Sequence, residues 1–324
     1  MADPKLSNLL KKSQRTILPD PRSIDFFKDI ESIIDSVGPY SKKNEKEVLE
    51  VDPKRPQKNA RKELLTQQRI LVNVILQEKI RGLLVFHGLG SGKTCASIAS
   101  ALALYKTRKI SNVIILLPKS IRPNFMAEIE TCTPGGLKLE PEGEMYRIFH
   151  YNSSNLIESM MSAFECNDVE TLIEKLSKSL FIVDESHRLI QMMHNSLVAM
   201  EKMPDYKKNE FRQKSKGYKI YQILMKVNMA KILLLSGTPL TNYAYEAAVL
   251  GNIMSGYINI NSQKYTLFPE NSDLYYRKYV DEDAYKIFDK SIGDFERRFI
   301  GKITYFPNIS NSQFPEIIEN RMIR

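Results

Sequence analysis

Cysteine is scarce in this 324-residue chain: Cys95, Cys132 and Cys166 stand far apart, with no CxxC pair. That count excludes a zinc ribbon and indicates no disulfide framework, so a reducing compartment is expected. The four histidines, His87, His150, His187 and His194, form neither an HExxH nor a His/Cys cluster, so no metal site made of protein ligands alone is predicted. No apolar run approaches the roughly 18 residues that a membrane helix needs. The opening residues, MADPKLSNLLKKSQ, lack the apolar stretch of a secretory leader. Internal repeats and low-complexity tracts are missing too, which sets aside solenoids and fibrous classes.

What remains is 43% hydrophobic and 26% charged, enough for a buried core, with a net charge of +9. A basic balance suits polyanionic partners, although a Lys-rich solvated surface gives the same count. Residues 1–60 read as an N-terminal extension or linker containing a Lys/Pro-rich arm. Residues 61–255 read as the main domain and 256–324 as an accessory segment. A helical pattern runs from Arg61 to Gln77. Four short apolar runs then recur, GLLVF, VIILL, SLFIV and KILLL, each ending in a polar or Gly-rich turn. Continuous apolar runs suit strands buried on both faces, so a mainly parallel sheet flanked by helices is predicted. The polar, basic stretch 204–217 reads as a surface loop.

Chemistry concentrates at the ends of those runs. After the first comes His87-Gly88-Leu89-Gly90-Ser91-Gly92-Lys93-Thr94, followed by the Ala-rich helix former CASIASALALY. Strand, glycine loop and helix together make a phosphate cradle: glycines take φ > 0 at little cost, and the helix N-terminus offers free N–H groups. Gly88 to Gly92 would wrap the phosphates, Lys93 would reach the β- and γ-phosphates, and the Thr94 hydroxyl would bind Mg²⁺. The general pattern expects glycine where this chain has His87. Asp184-Glu185-Ser186-His187 ends the third run. There Asp184 would hold Mg²⁺ and Glu185 would polarise an attacking water. Ser236-Gly237-Thr238-Pro239 ends the fourth, with hydroxyls placed to report nucleotide state. Pro118-Lys119-Ser120 ends the second, where Lys119, Ser120 and the nearby Arg122 could meet a nucleic-acid backbone. Upstream, Gln68 offers an amide that pairs with an adenine edge, and Gln67 is chemically equivalent.

In this order the motifs resemble the first RecA-like domain of superfamily 2 helicases: Gln68, HGLGSGKT, LLPKS, DESH and SGTP match the adenine-sensing glutamine and motifs I, Ia, II and III. DESHRLI, LLLSGTPLTN and the following Glu246 are similar to the Snf2 branch. QQR, LLVFHGLGSGKT with its His87, GKITYF and Phe314-Pro315 are similar to helicase-like transcription ATPases of large DNA viruses, the poxvirus-type nucleoside triphosphatase I and the early transcription factor small subunit. The resemblance spans roughly residues 61–315.

It implies a RecA-like P-loop domain binding ATP and Mg²⁺ and driven by DNA, or less often RNA, with His187, Ser236 and Thr238 coupling the nucleotide site to the rest of the motor. It also implies a second RecA-like domain, in the same protein or in another chain, and partners such as RNA polymerase or transcription-factor subunits. For a viral protein the setting would be host cytoplasm, viral factory or virion. No QxxGRxxR-like segment follows Pro239, so the chain reads as the N-terminal half of such a motor, slow in hydrolysis alone. The competing reading is a nucleotide-binding interaction module with little catalysis. A metabolic P-loop kinase would explain neither the DESH–SGTP order nor the charge. The basic segments Lys54–Lys62, Lys207–Lys216 and Arg277-Lys278 could touch nucleic acid or be solvated faces.

Overall fold

Strands of Val, Ile and Leu with no polar face can be buried only if helices cover them on both sides, and the computed structural model shows that arrangement. It describes residues 64–88, 90–132, 146–260 and 262–306. The chain runs α1 (Thr66–Ile75), β1 (Gly82–His87), α2 (Lys93–Lys106), β2 (Asn112–Leu117), a 3₁₀ turn (Lys119–Ile121) and α3 (Arg122–Cys132). Then follow β3 (Tyr146–His150), α4 (Leu156–Ala163), α5 (Val169–Lys175), β4 (Ser179–Val183), α6 (Ser186–Glu201), α7 (Asp205–Lys214), α8 (Lys216–Lys226), β5 (Lys231–Ser236) and α9 (Glu246–Ser255). Two small hairpins, β6 (Ile258–Ile260) with β7 (Gln263–Tyr265) and β8 (Val280–Asp281) with β9 (Lys286–Ile287), flank α10 (Ser272–Tyr279). After α11 (Ile292–Phe299) comes β10 (Ile303–Phe306).

Six strands form one sheet in the order β10-β1-β5-β4-β2-β3, and every neighbour pairs in parallel. Alternate side chains feed two cores. Leu83, Val85, Val113, Ile115 and Leu117 pack with α1, α2 and α3, while Leu84, Ile114, Leu116, Phe181 and Val183 pack with α4, α5, α6, α8 and α9. All carboxyl ends of a parallel sheet lie along one edge, which gathers the turns after β1, β2, β4 and β5. Among the described residues no helix is long and apolar enough to cross a membrane.

The four apolar runs are the four central strands. Two further strands escape the sequence. β3 (YRIFH) mixes polar and apolar residues because it is an edge, and β10 lies in the tail yet closes the sheet beside β1. The stretch 204–217 is not a loop. It holds α7, whose side chains are all at least partly exposed and which is held by local pairs, Lys208 with Asp205 and Lys214 with Glu210. A helix polar on every side has no apolar stripe to betray it.

The cysteine reading is corrected as well. Cys95, on the first turn of α2, is bonded to Cys132 at the end of α3, with a Cα–Cα distance of 5.3 Å. Glu128 lies beside them, but two sulfurs bonded to each other are not open to a metal. A crosslink closing a loop with a sequence separation of 37 removes freedom from the unfolded chain. Reduction is therefore expected to lower the unfolding free energy by about 3–4 kcal/mol. Urea unfolding with and without reductant measures this; coincident midpoints would mean that the thiols are unpaired in solution.

Candidate nucleotide site at the carboxyl edge of the sheet

The glycine loop leaves β1 and closes on itself. Gly90 and Gly92 take φ of 72° and 75°, conformations a side chain would strain, and Gly92 is the N-cap of α2. The Ser91 hydroxyl donates to the Gly88 carbonyl at 2.7 Å. The Lys93 ammonium donates to the carbonyls of His87 and Gly88, both at 2.9 Å, so it is folded back onto its own loop. Leu89 lies outside the described residues. His87 replaces the expected glycine without strain because it is the last residue of β1, in register with Phe306 of β10. The loop also leans on that last strand, since the Gly88 N–H donates to the Phe306 carbonyl at 3.0 Å.

Gln68, not Gln67, is the glutamine seated against the loop. It is 6% exposed, its amide donates to the Gly92 carbonyl at 3.1 Å and its oxygen accepts from the Leu65 N–H at 2.9 Å. A Cβ on Gly92 would collide with that amide.

The acidic pair follows β4. Asp184 Oδ1 accepts from the Glu185 N–H at 2.9 Å. Burial pushes the Asp184 carboxyl up to about 6, opposed by that hydrogen bond and reinforced by the neighbouring Glu185 charge. Burial also lowers the Lys93 ammonium, while Asp184, Glu185 and Glu128 pull it back up. Lys93 and the carboxylates thus share one field, although Lys93 makes its hydrogen bonds elsewhere. Glu185 itself sits in the left-handed region, φ 48° and ψ 47°, where a non-glycine residue is strained.

Two acidic groups on a strand end, one of them costly to ionise in its surroundings, fit a divalent cation. Asp184, with the half-buried Thr94 at the start of α2, would hold Mg²⁺, which neutralises phosphate charge when bound.

The turn after β5 meets this pair. His187 Nδ1 stands 3.2 Å from the Ser236 hydroxyl and 3.4 Å from Glu185 Oε2. Ser236 Oγ in turn accepts from the Thr238 N–H at 3.0 Å. Glu246, 1% exposed at the start of α9, accepts from the N–H groups of Thr241 and Asn242 and so pins the rest of that turn. At the end of β2, Pro118 is buried while Lys119, Ser120 and Arg122 are exposed, so the last three offer their polar groups to solvent.

Three contributors have no role that the sequence assigns them. Glu128 of α3 reaches the field of Lys93 and Asp184. Phe306 caps the loop from β10. The Tyr151 hydroxyl lies 3.2 Å from the Asp184 carbonyl and 3.1 Å from that of Glu185.

His87 gives the site a pH signature. It is 2% exposed, its Nδ1 has no hydrogen-bond partner among the described residues, and burial with the adjacent Lys93 charge lowers its pKa to about 4. The unfolded chain binds that proton near pH 6.5 and the folded chain only near 4, so stability is lost as pH falls between them. A His87→Gln variant should resist this acidification better than the parent by about 2–3 kcal/mol. Urea titrations at pH 7 and 4 read it, and equal losses in both proteins would contradict a neutral buried imidazole.

The termination factor NPH-I homolog of African swine fever virus is 27% identical over 251 residues, covering 74% of this chain and 30% of that protein. A protein of Acanthamoeba polyphaga mimivirus named for ATP-dependent RNA helicase activity is 26% identical over 240 residues, covering 69% of this chain and 26% of that protein. The chain therefore spans less than a third of the length of these relatives. Among solved structures, the Sulfolobus solfataricus SWI2/SNF2 ATPase core in complex with dsDNA aligns with a TM-score of 0.49 at 15% identity, over 77% of this chain and 45% of that one. Residues 50–241 match the family described as type III restriction enzyme, res subunit. With that match over more than half of its length, this chain belongs to that family and carries a superfamily 2 helicase domain.

Proposed function

We propose that this chain is the ATP-binding motor domain of a nucleic-acid-dependent ATPase serving viral-type transcription or DNA remodelling, with DNA as its track and RNA the less favoured one. The observation that carries the proposal is the convergence of three turns, after β1, β4 and β5, the last two joined by the His187–Ser236 contact. A binding module needs the phosphate loop. It has little need of a strained glutamate beside it or of a second turn in contact with that glutamate's histidine partner.

On this reading Lys93 leaves the carbonyls of His87 and Gly88 and donates to the β- and γ-phosphates. Gln68 moves its amide from the Gly92 carbonyl to the adenine edge. Asp184 and Thr94 hold the metal, and Glu185 takes the proton of the attacking water. His187, Ser236 and Thr238 pass the state of the γ-phosphate to the turn held by Glu246. Lys119, Ser120 and Arg122 contact the track through its phosphates. A second RecA-like domain supplies the other wall, and polymerase or transcription-factor subunits are the proposed partners. The relative named as a termination factor supports the transcription setting, and the one named for RNA helicase activity keeps RNA as the second track.

The test is ATP turnover by this domain together with its second RecA-like domain, with no nucleic acid, with single- and double-stranded DNA, and with RNA, at two salt concentrations. Stimulation by DNA that weakens as salt rises is the expected result. ATP binding with turnover indifferent to every nucleic acid would favour the interaction module.

A further inference from the structure

Tyr151 lies just past the edge strand β3, two strands away from β4, yet its hydroxyl ends beneath the acidic pair. A phenol has one proton, so the contacts at 3.2 Å to the Asp184 carbonyl and 3.1 Å to the Glu185 carbonyl share it. The ring is 2% exposed, and an ordinary phenol keeps its proton at neutral pH, so the hydroxyl is a donor. Its base is fixed too. The Lys216 ammonium donates to the carbonyls of Tyr151 at 3.0 Å and Ser153 at 2.8 Å, and the Ser153 N–H closes the turn onto His150 at 3.0 Å.

What this hydroxyl holds is the most strained link in the site. Glu185 has φ 48° and ψ 47°, so rotating its flanking peptides back to the ordinary region would swing its carboxylate. The Glu185 carbonyl also accepts from the Arg188 N–H of the first helical turn at 3.1 Å, a bond that any helix start would supply. Of the two bonds on the Glu185 carbonyl, the Tyr151 bond is the one that depends on tertiary structure; it reaches both carbonyls of the pair, and the Asp184 N–H is held separately by the Leu116 carbonyl at 2.9 Å.

We infer that Tyr151 is a positioning residue for hydrolysis. Its hydroxyl fixes the Asp184–Glu185 turn, and thereby the direction of the Glu185 carboxylate and the seat of the metal at Asp184. The inference rests on the reading of Glu185 as general base and Asp184 as metal ligand.

Tyr151→Phe keeps the ring and removes only the donor. Single-turnover hydrolysis should slow by about tenfold to a hundredfold, because small displacements of a catalytic group cost that much, while metal-free ATP affinity stays unchanged. The Mg²⁺ concentration for half-maximal ATP binding should rise several-fold, a readout independent of turnover. The thermal midpoint should stay within about 5 °C, as loss of one neutral hydrogen bond predicts. Glu185→Gln and the double variant separate the causes. If Tyr151→Phe costs nothing further in the Glu185→Gln background, the hydroxyl acts through Glu185. Equal losses in both backgrounds, or parental hydrolysis and Mg²⁺ dependence in Tyr151→Phe, would overturn the inference. Retained hydrolysis in Glu185→Gln would instead defeat the base assignment, and this inference with it.

Discussion

Lys93→Ala should weaken ATP binding about a hundredfold while leaving the fold intact. The ammonium donates to two carbonyls, His87 and Gly88, and is partly desolvated, so it enters the bound state already stripped of much of its water. Binding exchanges two bonds to neutral carbonyls for bonds to charged phosphate oxygens. Hydrogen bonds to charged groups contribute about 1.5–3 kcal/mol each, against about 1 kcal/mol for neutral ones. The net for two such exchanges is about 3 kcal/mol, which is the stated factor. Equilibrium titration with a fluorescent ATP analogue decides the matter, and an affinity within about threefold of the parent would remove Lys93 from the phosphate site.

Glu185→Gln should do the opposite: ATP binds as before and hydrolysis falls by about 10²–10⁴-fold, the usual contribution of a positioned general base. The amide has the shape of the carboxylate and the same left-handed backbone requirement, so the turn has no new strain to relieve. What disappears is the acceptor for a water proton and the negative partner 3.4 Å from His187. Hydrolysis near the parental rate, measured at saturating ATP in the fastest nucleic-acid condition, would assign the base elsewhere.

The sequence makes the strand-ending turns legible because each combines a continuous apolar run with residues that only a phosphate or metal site needs in that order. Gly88 to Thr94, Asp184, Glu185 and Ser236 are brought to one edge by parallel topology alone. The choice between Gln67 and Gln68 was chemically open, and only the contact with the Gly92 carbonyl resolves which faces the loop. Tyr151 and Glu128 could not be read, since a tyrosine after an edge strand and a glutamate on a helix look the same with or without a partner across the sheet. The Cys95–Cys132 bond escaped for a related reason: spacing along the chain says nothing about two helices packing side by side. β10 is not legible as a strand because four residues with alternating exposure lack the signature of a buried strand.

That last strand has a consequence for how the protein is made. Leu84 of β1 pairs with Ile303, so one side of the phosphate-loop strand has no partner until residue 303 has been synthesised. At about 5–20 residues per second, the roughly 220 residues between them take on the order of 10–40 s to emerge. During that interval β1 presents an open ladder of apolar, strand-forming residues, the kind of edge on which unfinished chains pair with each other. Contacts this distant in sequence also form slowly. The step that completes the support of Gly88 thus follows the synthesis of the other five strands, so ATP-binding competence should appear only after the rest of this sheet is available.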